Sequence, residues 1–200
     1  MTDALWLEPF SALALGYLLG SIPFGLVLTR LAGTGNLRAI GSGNIGATNV
    51  LRTGRKDLAV LTVLLDGGKG AAAFLLAEAW SPGLGVHAAV GAFFGHLYPI
   101  WLRFRGGKGV ATLFGLTLAM APLVGLVFAI TWLLVLFAFR YSSLAGLVAA
   151  ALTPVAAAGV GRFDFAILYI AFALVVGWKH RENVARLLTG AEPKVSAGRA

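Results

Sequence analysis

With 200 residues, 58% of them hydrophobic, only 12% charged and none cysteine, the chain carries about half the charge of an ordinary soluble domain. That composition, with a mean hydropathy of +0.86, places it among polytopic membrane proteins and excludes disulfides, thiolate catalysis and cysteine-based metal sites. A net charge of +8 would point to nucleic acid in a soluble protein. Here the basic residues are distributed about a bilayer first, and no nucleic-acid partner is expected.

In chain order, apolar segments at roughly 10–29, 58–80, 85–102, 110–121, 122–139, 143–160 and 163–178 predict an all-α bundle of about seven transmembrane helices. The run 110–139 is too long for one comfortable span and is divided at Met120-Ala121-Pro122. Basic residues favour that division. With the N-terminus outside, seven spans put Arg30, Arg38, Arg52, Arg55, Lys56, Arg103, Arg105, Lys108, Arg140, Lys179, Arg181, Arg186, Lys194 and Arg199 in the cytoplasm. That is fourteen of sixteen basic residues, as the positive-inside rule expects; six spans would put the basic C-terminal tail outside. The first span does not read as a cleaved signal, because Asp3 and Glu8 precede it and Arg30 follows it. Trp80, Trp101, Trp178 and Tyr141 fall near span ends as interface anchors, and Gly16/Gly20 and Gly91/Gly95 are small-residue pairs that let helices approach closely. Residues 1–192 read as a single transmembrane domain and 193–200 as a short disordered tail.

Four polar clusters interrupt this apolar frame. The first, GSGNIGATNVLR at 41–52, has Gly41, Gly43 and Gly46 in the spacing of a dinucleotide-binding turn, but a membrane span precedes it and no βαβ unit surrounds it. What survives is an anion receptor: converging backbone N–H groups, a helix starting near Ala47, side-chain donors on Ser42, Asn44, Thr48 and Asn49, and the two-pronged Arg52. The bland alternative is a glycine-rich connecting loop with a solvated arginine.

The second cluster, LLDGGKGAAAF at 64–74, buries Asp66, Gly68, Lys69 and Gly70 at membrane depth, where ionisable groups face a bundle interior or a water-filled cavity. Its glycines are expected to break the helix. Either Asp66 and Lys69 neutralise each other across one turn, or Asp66 positions Lys69 for an anion. The third cluster, GHLYPIWLRFRGGKGVAT at 95–112, repeats the letters GGKG. Lys108 with Gly106, Gly107 and Gly109 at a helix start is again an anion site, and His96 is the candidate base, or else a satisfied interfacial histidine; His87 reads as structural. Neither GGKG has the spacing of an ATP-binding P-loop. The fourth, KHRENVARLL at 179–188, is a basic helix whose Arg181 and Arg186 meet anionic lipid headgroups and whose Asn183 reaches toward the site. Arg52, Lys69 and Lys108 suffice for two phosphate groups beside lipid tails, which is simplest as a lipid-synthesising transferase.

In this order, GSGNIGATNVLR, DGGKG and GHLYPIWLRFRGGKGVAT resemble the three signature motifs of the bacterial acyl-phosphate:glycerol-3-phosphate acyltransferases (the PlsY family), and HRENVARLLTGAE is similar to that family's ending. The resemblance implies a seven-helix enzyme of the bacterial inner membrane, its site facing the cytoplasm. It would move a fatty acyl group from acyl phosphate to the 1-hydroxyl of sn-glycerol 3-phosphate, yielding lysophosphatidic acid and phosphate. It implies that Ser42 and Arg52 are essential, that Lys69 belongs to glycerol-3-phosphate binding, and that His96 and Lys108 serve the third motif. It also implies no metal, cofactor, acyl-CoA or acyl carrier protein, and functional coupling to the enzyme that makes acyl phosphate.

An acyl phosphate is already activated, so positioning and charge stabilisation are the main tasks. Ser42 would hydrogen-bond a phosphate or the oxyanion; a covalent acyl-Ser42 would demand an adjacent base, and either His96 or the departing phosphate takes the proton. A phosphate or organophosphate transporter is the runner-up, and it would need an internal inverted repeat that the surrounding sequence does not supply.

Overall fold

The computed structural model describes residues 4–195, and these are helical with no strand. They fall into two compact units, divided between Met120 and Ala121. Among the described residues, four segments are long and apolar enough to cross a membrane, or five if the pair Phe163–Lys179 and Arg181–Leu188, bent by 63°, is one span.

In the first unit, α1 (Ala4–Gly20) and α2 (Phe24–Leu31) form the first expected span, which is interrupted rather than continuous. Pro23 has no N–H to donate and disfavours helix in Ile22, so the chain turns at Ser21 to Pro23. A helix end in hydrocarbon leaves carbonyls that need donors. Here Trp101 Nε1 donates to Ser21 O at 2.8 Å and Lys69 Nζ to Ile22 O at 2.7 Å.

The expected small-residue pairs face each other. α1 packs on α5 (Leu84–Leu97) so closely that a Cβ on Gly16 or Gly20 would run into the backbone of Ala88 or Ala92, and one on Gly91 or Gly95 into that of Leu13 or Tyr17. Alanines fill the seam: Ala12, Ala73, Ala77, Ala88 and Ala92 form one buried cluster with Leu84. With no hydrophobic gain available between helices in lipid, close van der Waals packing of this kind holds the unit together.

α4 (Lys56–Trp80) corrects an expectation: it runs unbroken through Gly67, Gly68, Lys69 and Gly70. Each interior glycine costs about 1 kcal/mol, whereas an opened backbone in hydrocarbon costs several kcal/mol per unsatisfied group, so the continuous helix wins. The glycines serve packing instead. Gly67 faces the Ala111 carbonyl, Gly70 that of Thr112, and Gly115 the backbone of Gly67, all on α6 (Val110–Met120).

In the second unit, α7 (Pro122–Phe139) opens on Pro122, as the division at Met120-Ala121-Pro122 required, and proline suits a first helical turn. α8 (Ser142–Gly159) packs against α7 and α9 (Phe163–Lys179) through Ala145, Ala149, Ala150 and Ala157, and α10 (Arg181–Leu188) follows the bend. At the end of the described chain the Val195 N–H donates to Arg140 O at 2.7 Å; the disordered-tail expectation lies, from 196 on, outside the described residues.

Candidate active site

The first cluster folds as a pinned loop between α2 and α4. Asn36 Oδ1 accepts the Arg38 N–H at 3.0 Å and starts a short 3-10 turn at Leu37–Ala39. Positive φ at Gly41 (55°) and Gly43 (66°) swings the chain into α3 (Ala47–Val50), which begins where expected. Asn49, 2% exposed, is the pin. Its amide donates to Leu37 O at 2.9 Å and Asn44 O at 2.8 Å, so the donors expected to meet an anion are engaged inside the loop. Asn44 is half-buried, its Oδ1 accepting the Ile45 N–H at 2.9 Å. What faces outward is Ser42, Thr48 and Arg52, all exposed. Arg52 lies along the face of Gly41, where a side chain would collide with it and come 2.7 Å from Asn49 Oδ1. A hydroxyl and a guanidinium on a braced loop can hold a phosphate in a fixed place.

The third cluster is a chain reversal. α5 stops before Pro99, and the Tyr17 hydroxyl clamps the exit, donating to Tyr98 O at 2.8 Å and accepting the Ile100 N–H at 3.0 Å. Two consecutive non-glycine residues in the left-handed region, Arg103 (φ 52°) and Phe104 (φ 60°), turn the chain back at about 1–2 kcal/mol each. Gly106 N–H then reaches Leu97 O at 3.1 Å and Gly107 N–H reaches His96 O at 3.0 Å. Gly106 and Gly107 are needed because a Cβ on either would enter the His96 carbonyl or the imidazole at Nε2. Gly109 (φ 88°) packs on the Phe93 ring. Lys108, half-buried between them, stands two residues before the start of α6, where the helix dipole adds positive potential.

The first and third clusters meet. Arg38 Nη2 donates to Arg105 O at 2.6 Å, and Gly25 of α2 sits against the Ile45 carbonyl. The second cluster lies beside both. Asp66 and Lys69 are buried at 2% and 6% exposure. Asp66 Oδ1 accepts from Lys69 Nζ at 2.7 Å and lies 3.7 Å from His96 Nδ1. The two GGKG runs are therefore neighbours with different jobs: one packs a helix, the other shapes a turn.

Asn183 belongs to the second unit, where its amide donates to Glu192 Oε1 at 2.6 Å. That carboxylate also accepts from Ser143 Oγ at 2.6 Å and Arg186 Nε at 2.7 Å. Arg186, expected to meet lipid headgroups, is thus held by Glu192, while Arg181 donates to Trp178 O.

Sequence reasoning passed over Arg38, Glu192 and Ser143. Arg38 looked like one more cytoplasmic charge, and only its place three residues before Gly41 hinted at a role. Glu192 carried a fairer signal, as an isolated carboxylate just after a basic helix.

The sequence profile of the family described as Glycerol-3-phosphate acyltransferase matches residues 10–190. A glycerol-3-phosphate acyltransferase of Mesorhizobium japonicum is 55% identical over 186 residues, 93% of this chain and 95% of that protein. One from Methylorubrum populi is 52% identical over 190 residues, 95% and 94% of the two chains. Among solved structures, PlsY, an integral membrane glycerol 3-phosphate acyltransferase, is similar in two forms. Its glycerol 3-phosphate form has a TM-score of 0.88 at 36% identity, covering 94% of this chain and 96% of that one. Its lysophosphatidic acid form has a TM-score of 0.85 at 34% identity, covering 94% and 95%.

Proposed function

This chain belongs to the glycerol-3-phosphate acyltransferase family, and from that premise we propose that it transfers a fatty acyl group from acyl phosphate to the 1-hydroxyl of sn-glycerol 3-phosphate, yielding lysophosphatidic acid and phosphate. The observation that carries the reading is the joining of the Ser42–Arg52 loop to the His96–Lys108 turn through Arg38 and Arg105. It supports two phosphate sites side by side, with Ser42, Thr48, Arg52 and Lys108 as the substrate-facing groups and Gly41, Gly43, Gly46, Gly106, Gly107 and Gly109 as the backbone that lets them converge.

In this reading the substrate hydroxyl oxygen attacks the acyl carbon, the bond from that carbon to the phosphate oxygen breaks, and phosphate departs. Ser42 and the cations offset the charge that develops on the acyl oxygen and the leaving group, which is where preorganised donors are most effective. The imidazole of His96 is 4% exposed, with Nε2 against Gly107 and Nδ1 toward Asp66, an arrangement that suits a scaffold better than a base. The departing phosphate takes the hydroxyl proton, which balances the step without a protein base. The apolar helices put the reaction at a bilayer, and the basic-residue distribution supports a cytoplasmic-facing site in the bacterial inner membrane, supplied by the enzyme that makes acyl phosphate.

Purified protein given palmitoyl phosphate and labelled glycerol 3-phosphate should release lysophosphatidate and phosphate in equal amounts, and none from palmitoyl-CoA. Product from the thioester but not from the acyl phosphate would refute the donor assignment.

A further inference from the structure

The charged pair inside α4 is spoken for by the protein. Lys69 has three N–H groups; one goes to Asp66 Oδ1 and a second to Ile22 O, both at 2.7 Å. Its ammonium also stands 5.7 Å from the Phe24 ring centroid, and the side chains of both partners are only 3% exposed. Two of its three donors are thus committed, and a phosphate that drew the ammonium away from them would strand a buried carboxylate and a carbonyl at a span break, which is the costly way to break a buried pair. Arg52, by contrast, is exposed.

We propose that Asp66 and Lys69 are positioning residues, a strut that holds the break in the first span and the His96 turn in register without touching the phosphorylated substrate. The strut has two arms. Through Lys69 it occupies the Ile22 carbonyl, one of two span-break carbonyls taken by side chains of the second and third clusters; Trp101 takes the other. Through Asp66 it stands 3.7 Å from Nδ1 of His96, beyond hydrogen-bond length but in contact with that edge of the ring. Gly107 closes on the imidazole from the Nε2 side. The ring is thereby bracketed at both nitrogens, and its own carbonyl anchors the Gly107 N–H at 3.0 Å. The strut therefore sets where Lys108, the next residue, is presented. This assignment rests on the acyl-transfer reading for its kinetic part only.

The test compares Lys69→Met, Asp66→Asn and the double variant in detergent, by thermal unfolding and by kinetics with palmitoyl phosphate and glycerol 3-phosphate. Each single change strands one buried partner, so both should unfold at lower temperature and give little active protein. The double removes both charges, keeps a side-chain oxygen near His96, and should unfold at a higher temperature than either single. Its KM for glycerol 3-phosphate should stay within about threefold of the parent while kcat falls about tenfold, the pattern of lost transition-state alignment rather than lost binding.

A double variant no more stable than the singles overturns the strut. A double variant of restored stability whose glycerol 3-phosphate KM rises tenfold or more overturns the claim that Lys69 does not touch substrate. Unfolding is read without turnover, so failure of the parent enzyme to make lysophosphatidate would count against the acyl-transfer reading and leave the strut to be judged by its thermal arm.

Discussion

Arg38 donates to the backbone carbonyl of Arg105 at 2.6 Å, across 67 residues of chain. This hydrogen bond ties the loop bearing Ser42 and Arg52 to the turn bearing His96 and Lys108. Because the acceptor is a main-chain oxygen, the tie reports backbone position.

Arg38→Ala should loosen both halves of the site together. A charge-assisted hydrogen bond contributes about 1.5–3 kcal/mol when protected and less at a surface, so kcat/KM should fall about fivefold to thirtyfold for both substrates. Arg38→Lys should recover part of this. Steady-state kinetics in each substrate decides; a change confined to one KM would make Arg38 a direct ligand of that substrate.

Gly107→Ala should abolish turnover, by about a hundredfold or more, because its Cβ enters the His96 ring and displaces Lys108 with it; misplacements near 1 Å cost this much. The collision makes a second forecast possible. Removing the ring with His96→Ala in the Gly107→Ala background should raise activity above that of Gly107→Ala alone. No recovery in that double variant would mean that the loss arises elsewhere.

Two helical glycines, Gly68 on α4 and Gly115 on α6, should behave oppositely. A Cβ on Gly68 meets nothing within 4 Å, whereas one on Gly115 enters the Gly67 backbone across the α4–α6 seam. Gly68→Ala should leave thermal stability unchanged or raise it by up to about 1 kcal/mol. Gly115→Ala should lower it by about 1–3 kcal/mol through overpacking. Unfolding of both in the same detergent checks the pair.

Glu192 supplies the pH forecast. Burial pushes its carboxyl upward, but the hydrogen bonds from Ser143, Asn183 and Arg186 outweigh that and hold it below the ordinary glutamate range. A carboxyl depressed on folding stabilises the folded state above its unfolded value, and that contribution is lost as pH falls through the folded value. Stability of the second unit should therefore decline on acidification below about pH 4.3, the ordinary glutamate value. Glu192→Gln should lower stability at neutral pH and flatten the decline. An unchanged acid profile in Glu192→Gln would assign the titration to another group.

Composition and residue order were enough for the helical membrane class, for the division at Met120-Ala121-Pro122, for the Gly16/Gly20 and Gly91/Gly95 seam and for the start of α3 near Ala47. These depend on local rules: apolar run length, the missing proline N–H, and the small size of glycine. The three clusters and their order also carried the family. Two points needed the fold. The letters GGKG read alike at 67–70 and 106–109, yet the first run stays helical because an opened backbone in hydrocarbon costs more than three glycines do, and the second turns because Pro99 has already ended α5. Where Lys69 and Asn49 place their protons in this structure was likewise decided by distant partners, the Ile22 carbonyl for one and the Leu37 carbonyl for the other. A side chain's hydrogen-bond capacity is written in its residue type, but who uses it depends on which backbone groups the packed helices leave unsatisfied nearby.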